Sequence, residues 1–398
     1  MKKADLYVRD AVAARARGEF GEAEACYRSA LLAQPHLAVA IKGIADTRRQ
    51  TTEEVIELAR AALRKTSSLR ELAMLYFAFG KCWDDLGECQ RAWASWEVAN
   101  SLERKQQPYS AAADRSIFEG LAQAFPEPLG PPAAAAGPIF IVGLPRSGST
   151  LLERIVSAHP AVAPMGEQGA LPDATTALAQ WSDFEDRPAW EAIGSTALEQ
   201  AYYARLRQVL CDKAWTRWTD KQLLNFNYVP LALKAFPGAR ILHISRHPLA
   251  TALGIYRQRF QGTWHFAYSL EDIGAFMAGY AHLMHHWHRL AAGHILHVAL
   301  DQLVGDTRFT VDRVLEFLEL ERHDACYQPE KNPAPIETMS SVQGRSPINA
   351  RGLTNWRPYA HYLAGVREQL TREGIQVDSS TWSSSASSSP NSSASLSS

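Results

Sequence analysis

What this sequence has little of narrows its function first. Its 41 basic and 42 acidic side chains nearly cancel, leaving a formal charge of −1 at pH 7. No overall basic field therefore attracts a nucleic-acid backbone, and nucleic acid is not an expected partner. Five cysteines, Cys26, Cys82, Cys89, Cys211 and Cys326, are an odd number without metal-ligand spacing, so they read as reduced, packed thiols. His282, His285, His286 and His288 share one stretch, but an i, i+4 histidine pair with no acid in register is a weak metal pattern, and no metal is expected. No run approaches the roughly 18 apolar residues that a membrane span requires. Met1 to Asp10 also lacks the apolar core of a secretory signal, so no membrane partner is expected and the expected location is cytoplasmic.

What is present is concentrated near the middle of the chain. Pro138-Ile139-Phe140-Ile141-Val142 is the short apolar run of a parallel strand covered on both faces. Gly143, Leu144, Pro145, Arg146, Ser147, Gly148, Ser149 and Thr150 follow, and then Leu151, Leu152, Ile155 and Val156 at helical spacing. Strand, glycine-bracketed turn and helix start together make a phosphate cradle, because backbone N–H groups converge where the helix dipole favours an anion. The spacing matches the P-loop except that Ser149 stands where a lysine reaches the outer phosphates. A nucleotide kinase or NTPase needs that lysine and a magnesium-holding acid at the end of another strand. The next good strand, 240–245, ends in Arg246 instead, which points to a second phosphate site. A kinase or NTPase with an atypical loop stays as an alternative reading.

Gly143 through Leu151 resembles the 5′-phosphosulfate loop of sulfotransferases that use 3′-phosphoadenosine 5′-phosphosulfate (PAPS), and four further segments agree in order. Ala158-His159-Pro160 followed by Gly166-Glu167 resembles the tyrosylprotein-sulfotransferase branch and its bacterial relatives. Asp220-Lys221 with Asn225-Phe226 resembles the family's lysine segment, and 236–248 resembles its 3′-phosphate strand and turn. Ser341-Val342-Gln343 with Arg345, Pro347-Ile348 and Trp356 resembles its nucleotide-closing segment.

The resemblance implies sulfuryl transfer from PAPS to a hydroxyl acceptor, peptide tyrosine or a small molecule, with release of 3′-phosphoadenosine 5′-phosphate. It implies Glu167 as general base, with Lys221 and Arg146 stabilising charge on the departing phosphate oxygen. Arg146, Ser147, Gly148, Ser149, Thr150, Arg246, Ser341 and Arg345 are the implied donor-binding residues. His159 is a rival base, ranked below Glu167 because a histidine before proline at a helix end more often caps or packs. Two positions depart from the family: Gly254 replaces a serine eight residues after the strand-end arginine, and His247 replaces a common aspartate. Loss of the serine hydrogen bond implies donor binding weaker by roughly 1.5–3 kcal/mol.

The remaining sequence divides around this centre. Residues 1–125 carry helical periodicity and a weak repeat: Tyr27 and Trp96, like Ala30 and Ala99, are 69 positions apart, about two periods of 34. Glu53 to Leu63 fits a degenerate middle copy, and the pattern resembles tetratricopeptide repeats. Such repeats offer a surface for a protein partner or peptide, or they cap the following domain or a homodimer contact. Residues 126–138 form a proline- and alanine-rich linker, 139–375 the sulfotransferase domain, and 376–398 a serine-rich tail with little to bury. The expected fold class is α/β, a P-loop-like parallel sheet flanked by helices, preceded by an all-α helical-repeat domain. A repeat-based binding protein with a decayed catalytic domain is a third reading.

Overall fold

Seven helices open the fold: α1 (Lys3–Arg17), α2 (Phe20–Ala33), α3 (Ala38–Thr47), α4 (Glu54–Leu63), α5 (Leu69–Leu86), α6 (Cys89–Gln106) and α7 (Ala111–Ala124). The structure is a computed structural model that describes residues 3–179, 193–206, 217–260, 262, 264–336 and 341–378. Gly18 and Gly87 turn the chain between α1 and α2 and between α5 and α6 at φ 88° and 85°, a left-handed conformation that costs glycine little. The aromatics paired by the repeat each lie across a glycine. A Cβ on Gly80 would fall 2.1 Å from Trp96 Nε1, and one on Gly43 would fall 2.3 Å from the Tyr27 ring. Trp96 thus closes on the helix before it and Tyr27 on the helix after it, which explains why the repeat is weak in sequence.

The helices α6 and α7 are packed against the second half of the chain. Trp93 stacks on Tyr362 at 4.3 Å and on Tyr256 at 5.0 Å, and Phe118 meets Phe276 edge-on at 5.4 Å. Asn100 Nδ2 donates to the Tyr256 carbonyl at 2.8 Å, and Arg259 Nε donates to the buried Glu103 carboxylate at 2.5 Å. These faces of the repeat cap the neighbouring fold. The segment 126–136 has no helix or strand, yet it is strapped down: Leu129 N donates to Leu290 O at 2.7 Å and Ala136 N to Gly238 O at 2.9 Å.

Five parallel strands follow among the described residues, β1 (Gly137–Gly143), β2 (Val162–Pro164), β3 (Arg217–Asp220), β4 (Arg240–Ser245) and β5 (Ile295–Ala299), in the order β2-β3-β1-β4-β5. Side chains of β1 alternate between two cores. Ile139 and Ile141 join Leu152, Ile155 and Val156 of α8 (Ser149–Val156), whereas Phe140 and Val142 belong to the core shared with α1–α7. Both faces are covered, so every β1 position from 139 to 142 is buried and the run is apolar without alternation. In the helix Leu270–Leu290, Ile273, Phe276, Met277, Tyr280, Met284 and Trp287 recur at helical spacing as its buried face, and Tyr280 reaches His243 of β4. The serine-rich stretch 379–398 lies outside the described residues.

Three histidines from this layer cluster, His243 buried and His288 and His297 partly buried. His243 Nδ1 lies 2.8 Å from His288 Nε2, Tyr280 OH lies 2.7 Å from His243 Nε2, and Ser245 Oγ lies 2.7 Å from His297 Nε2. Burial pushes His288 and His297 down to about 4 and holds His243 well below the ordinary value, with neighbouring rings, including that of His285, and the Arg313 charge adding to the effect. The rings stay neutral in the folded state while their unfolded counterparts protonate near 6.5. Stability is therefore complete above pH 6.5 and lost as pH falls from 6.5 toward 4. Thermal denaturation across that window should show a falling midpoint. His288→Gln should flatten the slope by about 1.4 kcal/mol per pH unit.

Candidate functional site

Glycine decides the shape of the turn after β1. A Cβ at Gly143 would sit 2.5 Å from the Ile244 carbonyl of β4, so no larger residue allows the two strands to pass so closely. Gly148 takes φ 105° with Leu300 against it, and α8 starts at the next residue. Between them Arg146 occupies the left-handed region at φ 68°, a conformation that costs a non-glycine residue of order 1–3 kcal/mol and clusters at ligand sites. Ser147 is 1% exposed, and its hydroxyl has no hydrogen-bond partner among the described residues. Ser149 and Thr150, also buried, form the first turn of α8. A strained loop, an unmatched hydroxyl and a helix start together fit a bound oxyanion.

Cations flank the loop on both sides. β3 and β4 both neighbour β1, so Lys221 after β3 and Arg246 after β4 stand to the left and right of the turn, about 10 Å apart at the usual strand spacing. Arg246 Nη1 donates to the Arg146 carbonyl at 3.1 Å, and Nη2 donates to Gly352 O and to Asn355 Oδ1 at 3.3 Å. Burial, then repulsion from Arg257 and from Arg246, pushes Arg146 down to about 9. Burial and Arg257 bring Arg246 to about 10. An anion bound among these guanidinium groups would relieve that crowding. His247 stacks on Trp356 at 4.4 Å and is pushed by burial to about 4, so the histidine that replaces an aspartate is a neutral packing ring.

On the β3 side a buried ammonium joins two carboxylates. Lys221 Nζ lies 2.7 Å from Glu167 Oε1 and 3.7 Å from Glu153 Oε2; its side chain is 1% exposed, against 45% for Glu167. Asp220, the preceding residue, accepts from Tyr202 OH at 3.0 Å and from Asn225 Nδ2 at 2.9 Å, so the Asp-Lys…Asn pattern builds the turn that turns Lys221 inward. Burial raises Asp220 to about 6. Glu153 was not singled out from sequence; its only signal there is an acid inside the apolar run Leu151-Leu152-Glu153-Arg154-Ile155-Val156.

The structure does not bring every expected residue together. Arg345 Nη2 donates to Ala16 O at 2.9 Å and to Ala334 O at 3.4 Å, and its guanidinium covers Gly18, so it meets the α1–α2 turn rather than Arg246. Ser341 opens the short helix Ser341–Gly344, and its side chain lies outside the described ones. Gly344, in that same helix, faces Thr150. His159, the rival base, accepts from Ala161 N at 3.2 Å and lines a cleft of about 560 Å³ with Pro164, Asp324, Gln328 and Asn332. That cleft sits at the C-terminal end of α8, and none of the donor-loop residues lines it.

A model of the sulfotransferase family matches residues 138–324. An uncharacterised protein of Aquifex aeolicus is 29% identical over 343 residues, 82% of this chain and 45% of its own length. The protein-tyrosine sulfotransferase of Drosophila melanogaster is 24% identical over 234 residues, 55% of this chain and 46% of its own. The chain thus spans about half the length of these two relatives. The sulfotransferase domain of the Synechococcus PCC 7002 olefin synthase aligns with 58% of this chain and 91% of its own at 21% identity, with a TM-score of 0.42.

Gly254 has a steric reason to lack a side chain. A Cβ there would lie 2.9 Å from Arg146 Cβ and 3.3 Å from Arg146 Cγ, close to the rigid stem of that residue. Gly254→Ser should therefore destabilise by about 1–3 kcal/mol through overpacking, measured by thermal or urea denaturation, rather than restore a lost hydrogen bond.

Proposed function

We propose that this chain is a PAPS-dependent sulfotransferase that passes a sulfuryl group to a hydroxyl acceptor, with protein tyrosine as one candidate. The observation that carries this reading is the row Lys221, β1 loop, Arg246 along adjacent strand ends. One donor bearing phosphate groups at two separated positions spans such a row, whereas a triphosphate collected at one loop does not need the second cation. The match of 138–324 to the sulfotransferase family supports the same reading, and the likeness to a protein-tyrosine sulfotransferase supports the candidate acceptor. Against the kinase alternative, the acid that ends β3, Asp220, is engaged by Tyr202, Asn225 and the Gln222 amide.

Each residue then has a role its position permits. The loop N–H groups, Ser147, Gly148, Ser149 and Thr150 would hold the 5′ phosphosulfate, and Arg246 the distal phosphate. Glu167 would take the proton of the acceptor hydroxyl as its oxygen bonds to sulfur. The bond from sulfur to the bridging phosphate oxygen breaks at the same stage, and its electron pair stays on that oxygen. Lys221 and Arg146 would meet the charge that develops there. The role of Arg345 would require it to leave Ala16 O, and Ser341 is proposed on resemblance alone.

Three substitutions separate these roles. Lys221→Ala and Glu167→Gln should each lower kcat by roughly 10²–10⁴-fold with little change in binding of 3′-phosphoadenosine 5′-phosphate. Arg246→Ala should instead weaken that binding by about 1.5–3 kcal/mol, read by calorimetry. Purified protein that neither binds this nucleotide nor consumes PAPS with phenols, alcohols or tyrosine peptides would overturn the proposal.

A further inference from the structure

Glu153 lies inside α8, the helix that begins with the proposed donor-binding residues Ser149 and Thr150, and its carboxylate reaches two other elements. Oε1 accepts from the Gly166 backbone N–H at 3.0 Å and from Thr219 Oγ1 of β3 at 3.0 Å. Oε2 lies 3.7 Å from Lys221 Nζ, the ammonium that also pairs with Glu167 at 2.7 Å. The Lys221 N–H closes the circuit by donating to Gly166 O at 2.9 Å. Gly166 takes φ 65°, so the residue before Glu167 is held in a left-handed turn by hydrogen bonds at both its N–H and its carbonyl.

An ionisable group in this place is expensive. Glu153 is 8% exposed, and an apolar side chain would fill the same volume without desolvating a carboxylate. Its neighbours Leu152, Ile155 and Val156 show what packing alone selects here. What an apolar residue cannot do is accept from Gly166 and Thr219 while facing a buried ammonium.

We infer that Glu153 is a positioning residue: it ties the Gly166-Glu167 segment and Lys221 to the donor-loop helix, so that base, cation and donor hold one spacing. The inference rests on the proposed sulfuryl transfer for its catalytic consequence, but its geometric part does not. Glu153 touches neither donor nor acceptor in this scheme. It acts through Glu167 and Lys221.

Two variants of the full chain divide its functions. Glu153→Gln keeps an acceptor oxygen for Gly166 and Thr219 but removes the charge beside Lys221. Glu153→Leu removes both. Hydrogen exchange by mass spectrometry, at a pH where the variants are folded, should show the Gly166 and Lys221 amides protected in the wild type and in Glu153→Gln. In Glu153→Leu they should exchange at least about tenfold faster.

With PAPS and 4-nitrophenol or a tyrosine peptide, Glu153→Gln should lose kcat by up to roughly 10²-fold, as expected for a small misplacement of reacting groups. Its KM for PAPS should stay within about threefold, because the donor contacts are intact. Its pH–rate profile should move its acid limb to lower pH, since the ammonium then faces one carboxylate instead of two.

Unchanged exchange at Gly166 in Glu153→Leu overturns the inference whether or not the chain turns over PAPS. Activity of Glu153→Gln within threefold of wild type with an unmoved acid limb overturns it as well. A wild type that is inactive with PAPS counts against the proposed function alone, and the exchange data then decide the positioning role.

Discussion

The close passage of β1 against β4 is the constraint on which the rest of the site depends. At Gly143 the strands are so near that even a methyl group would strike the Ile244 carbonyl. The chain must leave the sheet there in a turn that no side chain crowds, and Arg146 accepts a strained conformation to complete it. The same proximity sets Arg246 under the Arg146 carbonyl and leaves no room at Gly254 for a Cβ. The turn after β1, Arg246 and a glycine on the following helix are thus one packing solution.

Charge is organised differently on the two sides of this loop. On the β4 side, burial and repulsion from the Arg257 charge lower the basicity of Arg146 and Arg246. The Lys221 side is compensated within the protein, by Glu167 and by Glu153. A buried charge persists only when paired and hydrogen-bonded, and here the pairing draws in the half-exposed Glu167 carboxylate. The guanidinium groups and the carboxylate-paired ammonium are thus separated along the strand ends.

The helical repeats contribute to the same body. Their α6 and α7 faces are occupied by Tyr256, Tyr362 and Phe276, and their first turn receives Arg345. The core that begins with Ala11 and Tyr27 runs without a break to Phe140 and Val142 of the sheet. A surface for a partner, if used, is made from helix faces other than these.

The phosphate-type turn was legible in the chain because its determinants are local: an apolar run, two glycines at fixed spacing and a helix start occupy about twenty consecutive residues. The parallel sheet, its central strand and the helical first third follow from periodicity for the same reason. Contacts between distant segments were not legible in this way. Glu153 reads as one polar residue on an apolar helix until the fold brings Gly166, Thr219 and Lys221 around it. Gly254 reads as a lost hydrogen bond until Arg146 is seen against it, and Arg345 as a phosphate ligand until Ala16 takes its donor. Sequence by itself determined which backbone shapes were available, since propensity and spacing act over a few residues. Only the tertiary structure decided which side chains share a volume, because that depends on chain crossings separated by tens to hundreds of positions.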